Sequence, residues 1–311
     1  MIKCNICGSE FNSGNELIKH LREEHKTTEK KYCLEVLAKK DLLTDEVLEY
    51  RSLDQYLLSN FTGRGNLLKW LKGIDEEDAR EYLTSSLSDY AVLKSLEYFP
   101  SHFELRTIST LVSVKTYLHF FGGGIYDMVE STGLVNRYAL ISDLKMPELP
   151  SKIYEDTREK RPLSFGKKIT VEAKKLDYGD YSSGGDLNIE RKSLSDLLGT
   201  LSSGWTRFQN EMDRAKEAGA YVVILVDTDI NTFMGFKFQS QIHSKASHDF
   251  IFKRCRDLCR AYPHNVQFLF SGGRRDSAQL IPILLGWGKS ICSRLDLQYF
   301  KDSGQFDKLC G

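Results

Sequence analysis

The sequence of 311 residues has no run of about eighteen apolar residues, the shortest that would suggest a membrane-spanning helix. Its start, Met1-Ile2-Lys3-Cys4, lacks the apolar stretch of a secretory signal. The formal net charge is zero, so neither sign predominates in the composition as a whole. We therefore expect an intracellular protein without a membrane partner. It would lie in the cytoplasm if the source is a prokaryote or phage, and in the nucleus if it is a eukaryote.

Cysteine is too sparse for a disulfide framework, because seven residues of this type are scattered over the whole length. Proline is also rare, yet two of the six prolines are Pro147 and Pro150. Such a pair disfavours helix and marks a boundary between domains. The charge differs on the two sides of it. Residues 151–311 carry 25 Lys and Arg against 20 Asp and Glu, whereas residues 31–150 carry 13 against 18. If nucleic acid is bound, the C-terminal part is the expected platform.

The hydrophobic pattern changes at the same boundary. Before it, apolar residues recur at three- and four-residue steps, as in Leu67, Leu68 and Leu71, which predicts helices. After it, short apolar runs alternate with helical stretches. Tyr221–Val226 is apolar throughout, as in a strand covered on both faces. We therefore predict five segments: a Cys/His module at 1–28, a helical domain at 29–145, a linker at 146–151, an α/β domain at 152–288 and a C-terminal tail at 289–311. The tail from Lys301 to Gly311 is polar and is expected to fray.

The N-terminal module has the spacing C-x2-C-x12-H-x4-H, formed by Cys4, Cys7, His20 and His25. Two thiolates and two imidazoles are a tetrahedral zinc ligand set, and a module this small folds only with its metal. Phe11 and Leu17 stand where such modules place their small apolar core. The segment resembles the two-Cys two-His zinc fingers and predicts a ββα fold. That resemblance implies that the base-facing positions are Ser13, Glu16 and Lys19. A structural or protein-binding finger remains the alternative.

A turn rich in Gly and Ser separates Asp180 from Glu190 and Lys192. Glu190 and Lys192 are two residues apart, so they share one face of a strand. Asp180 can meet Glu190 across the hairpin around Mg²⁺ or Mn²⁺, because carboxylate oxygens suit these ions. Such a metal polarises a phosphoryl oxygen and lowers the pKa of an attacking water. Lys192 would orient that water or neutralise developing charge. These residues predict hydrolysis of a phosphodiester.

The string G-D-x9-E-R-K-x3-D, from Gly179 to Asp196, resembles the nuclease domain of the XPF family within the PD-(D/E)XK superfamily. Residues 156–159 match the D-x-R-E element of that family, and the resemblance covers residues 152–288. It implies a restriction-endonuclease-like mixed sheet flanked by helices. It also implies a role for each matching residue. Asp180, Glu190 and Lys192 are metal and catalytic positions, Asp156 is an acidic position beside the metal, Arg191 holds a phosphate, Asp196 supports the site, and Arg158 contacts DNA.

Two departures from the family bear on how DNA is gripped. Twenty-six residues follow Leu285, too few for a tandem helix-hairpin-helix module, so DNA grip and dimerisation by that module are not expected. The segment Thr228–Ser247 is longer than a tight connection and interleaves Lys237 and Lys245 with aromatic residues. It could meet phosphate and unstacked bases, or be a surface loop whose aromatics pack down.

The sequence thus predicts a DNA endonuclease with structural zinc and catalytic Mg²⁺ or Mn²⁺, acting on branched, flapped or otherwise structured DNA. Two alternatives remain open: a non-catalytic DNA- or protein-binding scaffold with a nuclease fold, and a sequence-specific nuclease of restriction or homing type. The association state, as a homodimer or with a partner subunit, is left open as well.

Overall fold

A computed structural model describes residues 2–138, 144–235 and 247–310. The chain divides into two compact units, Met1–Arg137 and Tyr138–Gly311. Within the described ranges, no helix is both long enough and apolar enough to cross a membrane. The predicted domain boundaries stay predictions, and the two units are treated separately below.

The first unit opens with a ββα module and continues as helices, as the periodicity predicts. Ser or Asp side chains cap several of these helices by accepting hydrogen bonds from first-turn N–H groups, as Asp75 and Ser101 do. The elements are β1 (Ile2–Lys3), β2 (Glu10–Phe11), α1 (Gly14–Glu23), α2 (Glu29–Lys31), a π-helical turn (Tyr32–Leu37), α3 (Leu53–Leu58), α4 (Arg64–Leu71), α5 (Glu76–Lys94), α6 (His102–Thr107), α7 (Val114–Phe121), a 3-10 turn (Gly122–Gly124) and α8 (Ile125–Ser131).

The ββα module does not stand alone, because its apolar core continues into the residues after it. Leu17 and Leu21 of α1 are fully buried and share one cluster with Tyr32, Cys33 and Tyr56. The Tyr32 hydroxyl also accepts a hydrogen bond from the Asn5 N–H, at 2.9 Å. Burial of this shared apolar surface ties the module to the helices that follow it.

The second unit is built on a six-stranded mixed sheet with the order β4-β3-β5-β6-β7-β8. β3 and β4 are parallel, β5 is antiparallel to both β3 and β6, and β6, β7 and β8 are parallel. This is the mixed sheet that the resemblance implies, and the predicted fold class is confirmed. The elements are β3 (Lys152–Glu155), β4 (Thr170–Ala173), β5 (Tyr181–Ser182), β6 (Leu187–Lys192), α9 (Leu194–Leu201), α10 (Trp205–Glu217), β7 (Tyr221–Val226), α11 (Ile230–Gly235), α12 (His248–Ala261), β8 (Val266–Phe270), α13 (Arg274–Cys292, interrupted at Gly288), α14 (Leu297–Asp302) and α15 (Gln305–Cys310).

Helices cover both faces of this sheet, so every residue of β7 is buried. The α13 side chains pack with Ile189, Val223 and Leu225 on one face. Helices α9, α10 and α12 contact β6, β7 and β8. Lys192 extends towards α10, since its Nζ lies 5.6 Å from the centre of the Phe208 ring. The faces of β6 are therefore divided, with Ile189 towards α13 and Lys192 towards α10.

Buried aromatic residues order two segments of the second unit. Helix α11 occupies Ile230–Gly235 within the segment Thr228–Ser247, and Phe233 is fully buried against Phe252 and Phe270. This burial agrees with the alternative that the aromatic residues of the segment pack down. The prediction that the tail frays is wrong, because α14 and α15 place Phe300 and Phe306 in the core beside α13.

Candidate functional site

The β5–β6 hairpin brings Asp180, Glu190 and Lys192 together. Tyr181 pairs with Ile189, and the Asp180 N–H donates to the Ile189 carbonyl at 2.7 Å, so Asp180 lies beside Glu190. One carboxylate oxygen of Asp180 accepts from the Arg191 N–H at 2.8 Å, which fixes its orientation. Lys192 Nζ forms an ion pair with Glu190 Oε1. Alternation along β6 therefore gives the arrangement that the sequence predicted for these three side chains.

Burial and the charges of the neighbouring groups shift the pKa values of all three side chains. Burial, and then the neighbouring Glu190, raise the pKa of Asp180 to about 8. Burial also raises the pKa of Glu190, although the ion pair with Lys192 opposes the shift. Burial works against the charged form of Lys192, but Glu190 and Asp180 outweigh it and raise the lysine pKa. Two buried carboxyl groups thus share one ammonium, and a divalent cation would balance the remaining charge.

Glu211 on α10 is a site residue that the sequence analysis missed. Its Oε1 accepts a hydrogen bond from the Gly179 N–H at 3.2 Å, and its charge raises the pKa values of Glu190 and Lys192. It lies on a helix, outside any recognisable motif. The sequence could have indicated Glu211 only through a prediction that α10 crosses the face of β6.

Asp156 is buried, and the surrounding loop engages its carboxylate completely. Oδ1 accepts from the N–H and Nε of Arg158, at 2.8 and 2.7 Å. Oδ2 accepts from an Arg158 terminal nitrogen and from the Leu176 N–H, at 3.1 and 2.7 Å. Burial opposes ionisation, but these hydrogen bonds outweigh it and lower the pKa of Asp156. Four donors therefore engage the lone pairs that a metal would need, and the role of Asp156 beside the metal stays a prediction. Asp156 anchors Arg158, whose side chain is otherwise 64% exposed.

Arg191 has several acceptors within the protein. Its guanidinium donates to Asp227 Oδ2 at 2.9 and 2.6 Å and to Glu159 Oε2 at 3.3 Å. A further hydrogen bond of 3.0 Å reaches the Arg161 carbonyl. The side chain is almost fully buried, so it ties the end of β6 to β7 and to the loop after β3. Contact of Arg191 with a phosphate stays a prediction.

Asp196 lies in the first turn of α9, where the Ser193 hydroxyl donates to its Oδ2 at 2.6 Å. It is exposed and borders an open cleft of about 830 Å³, as Asp180 and Lys192 do. Four further cations line the cleft, and they are Arg158, Lys160, Arg161 and Arg274. The cleft therefore has the Asp180 carboxylate and the Lys192 ammonium in its lining with several further cations around them, which suits a polyanion.

Gly179 permits the tight approach of Asp180 to β6. Its φ is +73°, and a Cβ there would lie 3.1 Å from the Ile189 carbonyl oxygen. We expect Gly179→Ala to lower the free energy of unfolding by about 1–2 kcal/mol, because the left-handed conformation and the contact both disfavour a side chain. Urea unfolding measures this. Gly185→Ala is the matched control, since no atom lies within 4 Å of its Cβ position and its φ is not in the left-handed region. Equal losses for the two variants would contradict the account.

The N-terminal Cys/His cluster forms a second candidate site. One donor atom from each of Cys4, Cys7, His20 and His25 lies within 4.8 Å of the others. Cys4 Sγ is 3.6 Å from His25 Nε2, and Cys7 Sγ is 3.3 Å from His20 Nε2. Hydrogen bonds with Ser9, and then with His25, lower the pKa of Cys7 to about 6, which favours the thiolate that a metal binds. Two soft and two imidazole donors around one point fit tetrahedral zinc.

Three of the predicted DNA-contacting positions lie on α1 or cap it. Ser13 caps α1 by accepting from the Glu16 N–H, and the Glu16 carboxylate accepts from the Asn12 N–H. Lys19 is exposed, with its Nζ 4.0 Å from Glu23. Lys237 and Lys245 lie outside the described residues. DNA contact by these five residues stays a prediction.

Comparison with known proteins locates a family domain around the hairpin. Residues 155–284 match the model of the ERCC4 domain. The solved structure of XPF from Aeropyrum pernix is similar at 23% identity and a TM-score of 0.34, over 43% of this chain and 64% of that one. The same protein in complex with DNA gives 23% and 0.34, over 42% and 61%. This chain therefore spans less than two thirds of either structure, and no curated protein matches it. The family match confirms the predicted resemblance: residues 155–284 are similar to the ERCC4 domain.

Proposed function

We propose that this protein is a metal-dependent DNA endonuclease that hydrolyses phosphodiester bonds in branched, flapped or otherwise structured DNA. The observation that carries the proposal is the buried pair of carboxyl groups, Asp180 and Glu190, with Lys192 beside them. The ERCC4 match supports the nuclease class. A scaffold without catalysis has no evident use for two carboxyl groups that burial and mutual repulsion destabilise as anions.

Asp180 and Glu190 are the proposed ligands of Mg²⁺ or Mn²⁺. Their hard oxygen donors fit these ions, and a bound cation would favour the ionised form of Asp180, which burial and Glu190 disfavour. When bound, the metal supplies Lewis acidity for the phosphoryl oxygen and a lowered pKa for a water. Asp156 and Arg191 are proposed to hold the neighbouring segments in place, because hydrogen bonds within the protein occupy their polar atoms.

Lys192 is proposed to act on the scissile phosphate. Its raised pKa keeps the ammonium charged at neutral pH, and Glu190 holds it at the edge of the cleft. A fixed ammonium stabilises the negative charge that develops on a phosphoryl oxygen during attack. Arg158 and Lys160 on the rim would attract the DNA backbone, so affinity should fall as salt rises.

The N-terminal module is proposed to bind one structural zinc through Cys4, Cys7, His20 and His25. DNA contact through Ser13, Glu16 and Lys19 stays a prediction, as does association into a homodimer or with a partner subunit. The residues of α1 that face outward do not favour a polyanion, because Lys19 and Arg22 are balanced by Glu16 and Glu23.

A cleavage panel tests the proposal. The full chain is incubated with Mg²⁺, Mn²⁺ or EDTA and with labelled single strand, duplex, flap, splayed arm and four-way junction. We expect cleavage with either metal, none with EDTA, and the highest rate on a branched substrate. Cleavage of one duplex sequence regardless of branching would instead support a restriction- or homing-type nuclease. DNA binding without any cleavage would support the scaffold.

A further inference from the structure

An arginine stacked on aromatic rings lies at one end of the helical layer formed by α10 and α12. The Arg254 guanidinium carbon is 4.4 Å from the centre of the Trp205 ring and 5.1 Å from that of Phe250. Phe250 is 37% exposed, and Trp205 and Arg254 are half-buried. Among the described residues, neither the Trp205 indole N–H nor the Arg254 guanidinium has a hydrogen-bond partner. The stack therefore presents ring faces and an unused cation to solvent.

The stack lies at the same end of the sheet as the β5–β6 site. Helix α10 precedes β7 and α12 precedes β8, so both helices begin where the parallel strands end. Contacts between the helices agree with this placement. Arg254 of α12 stacks on Trp205 of α10. Eight residues further along each chain segment, the Tyr262 hydroxyl donates to Asp213 at 2.7 Å. The two helices therefore run parallel to each other. Open α/β sheets bind ligands at this edge.

One helical turn connects the stack to the proposed catalytic lysine. Trp205 and Phe208 are three residues apart on α10, which is about 4.5 Å along the helix axis. The Phe208 ring lies 5.6 Å from Lys192 Nζ. These steps place the Trp205 ring within a few nucleotides of a phosphate held at Lys192.

The charge at the stack indicates which kind of molecule could bind there. Arg254 is part of the stack, whereas Lys253, the residue before it, is ion-paired with Asp257 at 2.7 Å. Aromatic rings with interleaved cations suit unpaired bases, because each base can stack while its phosphate meets a cation. A second copy of this chain would have to bring an acidic surface to the same place.

We propose that Trp205, Arg254 and Phe250 form a stacking platform for an unpaired nucleotide close to the scissile phosphate. This inference rests on the proposed function and deepens it by naming the residues that would contact an unpaired base beside the cut. The platform would give preference for splayed or flapped DNA over continuous duplex, since a paired base has no free face to offer.

Binding assays with the full chain test the platform without requiring cleavage. Anisotropy in Ca²⁺ gives the Kd for a splayed arm and for a fully paired duplex of equal length. We expect Trp205→Ala to weaken binding of the splayed arm about tenfold or more and that of the duplex less than twofold. Trp205→Phe keeps a ring and should retain most of the preference. Arg207→Ala, the matched control on the same helix, should weaken both DNAs equally.

Three further results make the test decisive. An abasic site at one position of the arm should weaken wild-type binding and have no further effect in Trp205→Ala. Equal losses on both DNAs, with Trp205→Phe behaving like Trp205→Ala, would overturn the platform. A dimer that dissociates in Trp205→Ala during sedimentation would overturn it in favour of an interface between copies.

The wild-type cleavage panel, together with the binding assay, separates the platform from the proposed nuclease activity. Cleavage without preference for the splayed arm removes the platform and leaves the hydrolytic activity. Preferential binding of the splayed arm in the anisotropy assay, with no cleavage in the panel, leaves the platform and removes the nuclease.

Discussion

Replacing Lys192 with alanine is expected to lower the single-turnover rate of DNA cleavage by about 10²–10³-fold at saturating DNA. The ammonium is held in place by Glu190 and stays charged because Glu190 and Asp180 raise its pKa. Its removal takes away charge stabilisation that develops only during attack, so the rate should fall while DNA affinity changes little. Quenched-flow cleavage of a labelled flap measures the rate, and anisotropy in Ca²⁺ measures the affinity.

Two variants separate this effect from loss of structure. Lys192→Met keeps the aliphatic chain that lies against Phe208 and should be as inactive as Lys192→Ala. Lys174→Ala is the matched control, because Lys174 is exposed on the far side of β3 and should cleave at the wild-type rate. A Lys192→Ala rate within threefold of wild type would exclude the proposed role.

Removing zinc is expected to unfold the ββα module together with the start of the helical unit. Leu17 and Leu21 share their core with Tyr32 and Tyr56, so loss of the metal should expose residues well beyond His25. Zinc binding to such modules contributes about 10–16 kcal/mol of apparent free energy, which is also free energy of folding. Hydrogen exchange after chelation should show loss of protection through α3 and unchanged protection in β6, β7 and β8.

A pair of cysteine variants controls for the zinc experiment. Cys7→Ser removes a proposed ligand and should lower the zinc content from one per chain to none. Cys33→Ser changes a buried thiol whose pKa burial raises to about 11, and it should keep the zinc. The protection of α3 should follow the metal content. Full protection of α3 in metal-free Cys7→Ser would show that the module is independent of the helices.

Local patterns predicted the layers of the second unit and the residues of its hairpin. The apolar run of Tyr221–Val226 is fully buried, and the two-residue spacing of Glu190 and Lys192 places them on one face of β6. Both follow from alternation along strands, which sequence displays directly. The short β5 was not predicted as a separate strand, because two residues carry no period to detect.

The hydrogen bonds of the site residues depend on tertiary contacts, which the sequence does not display. Arg191 pairs with Asp227 and Glu159, which belong to two other segments. Glu211 joins the site from α10 only because that helix crosses β6. The sequence motif also does not reveal that several hydrogen bonds engage the Asp156 carboxylate. Motif spacing thus gives positions, whereas packing decides which polar atoms remain free.

The most direct test of the metal-dependent centre is a Mg²⁺ titration of single-turnover flap cleavage for wild type and Glu190→Gln. This substitution keeps the size of the side chain while removing the charge that is proposed to hold the metal and Lys192. The account predicts saturable Mg²⁺ dependence for wild type and no cleavage by Glu190→Gln at any Mg²⁺ concentration, with DNA affinity retained. Cleavage by Glu190→Gln at the wild-type rate and with the wild-type Mg²⁺ dependence would contradict it.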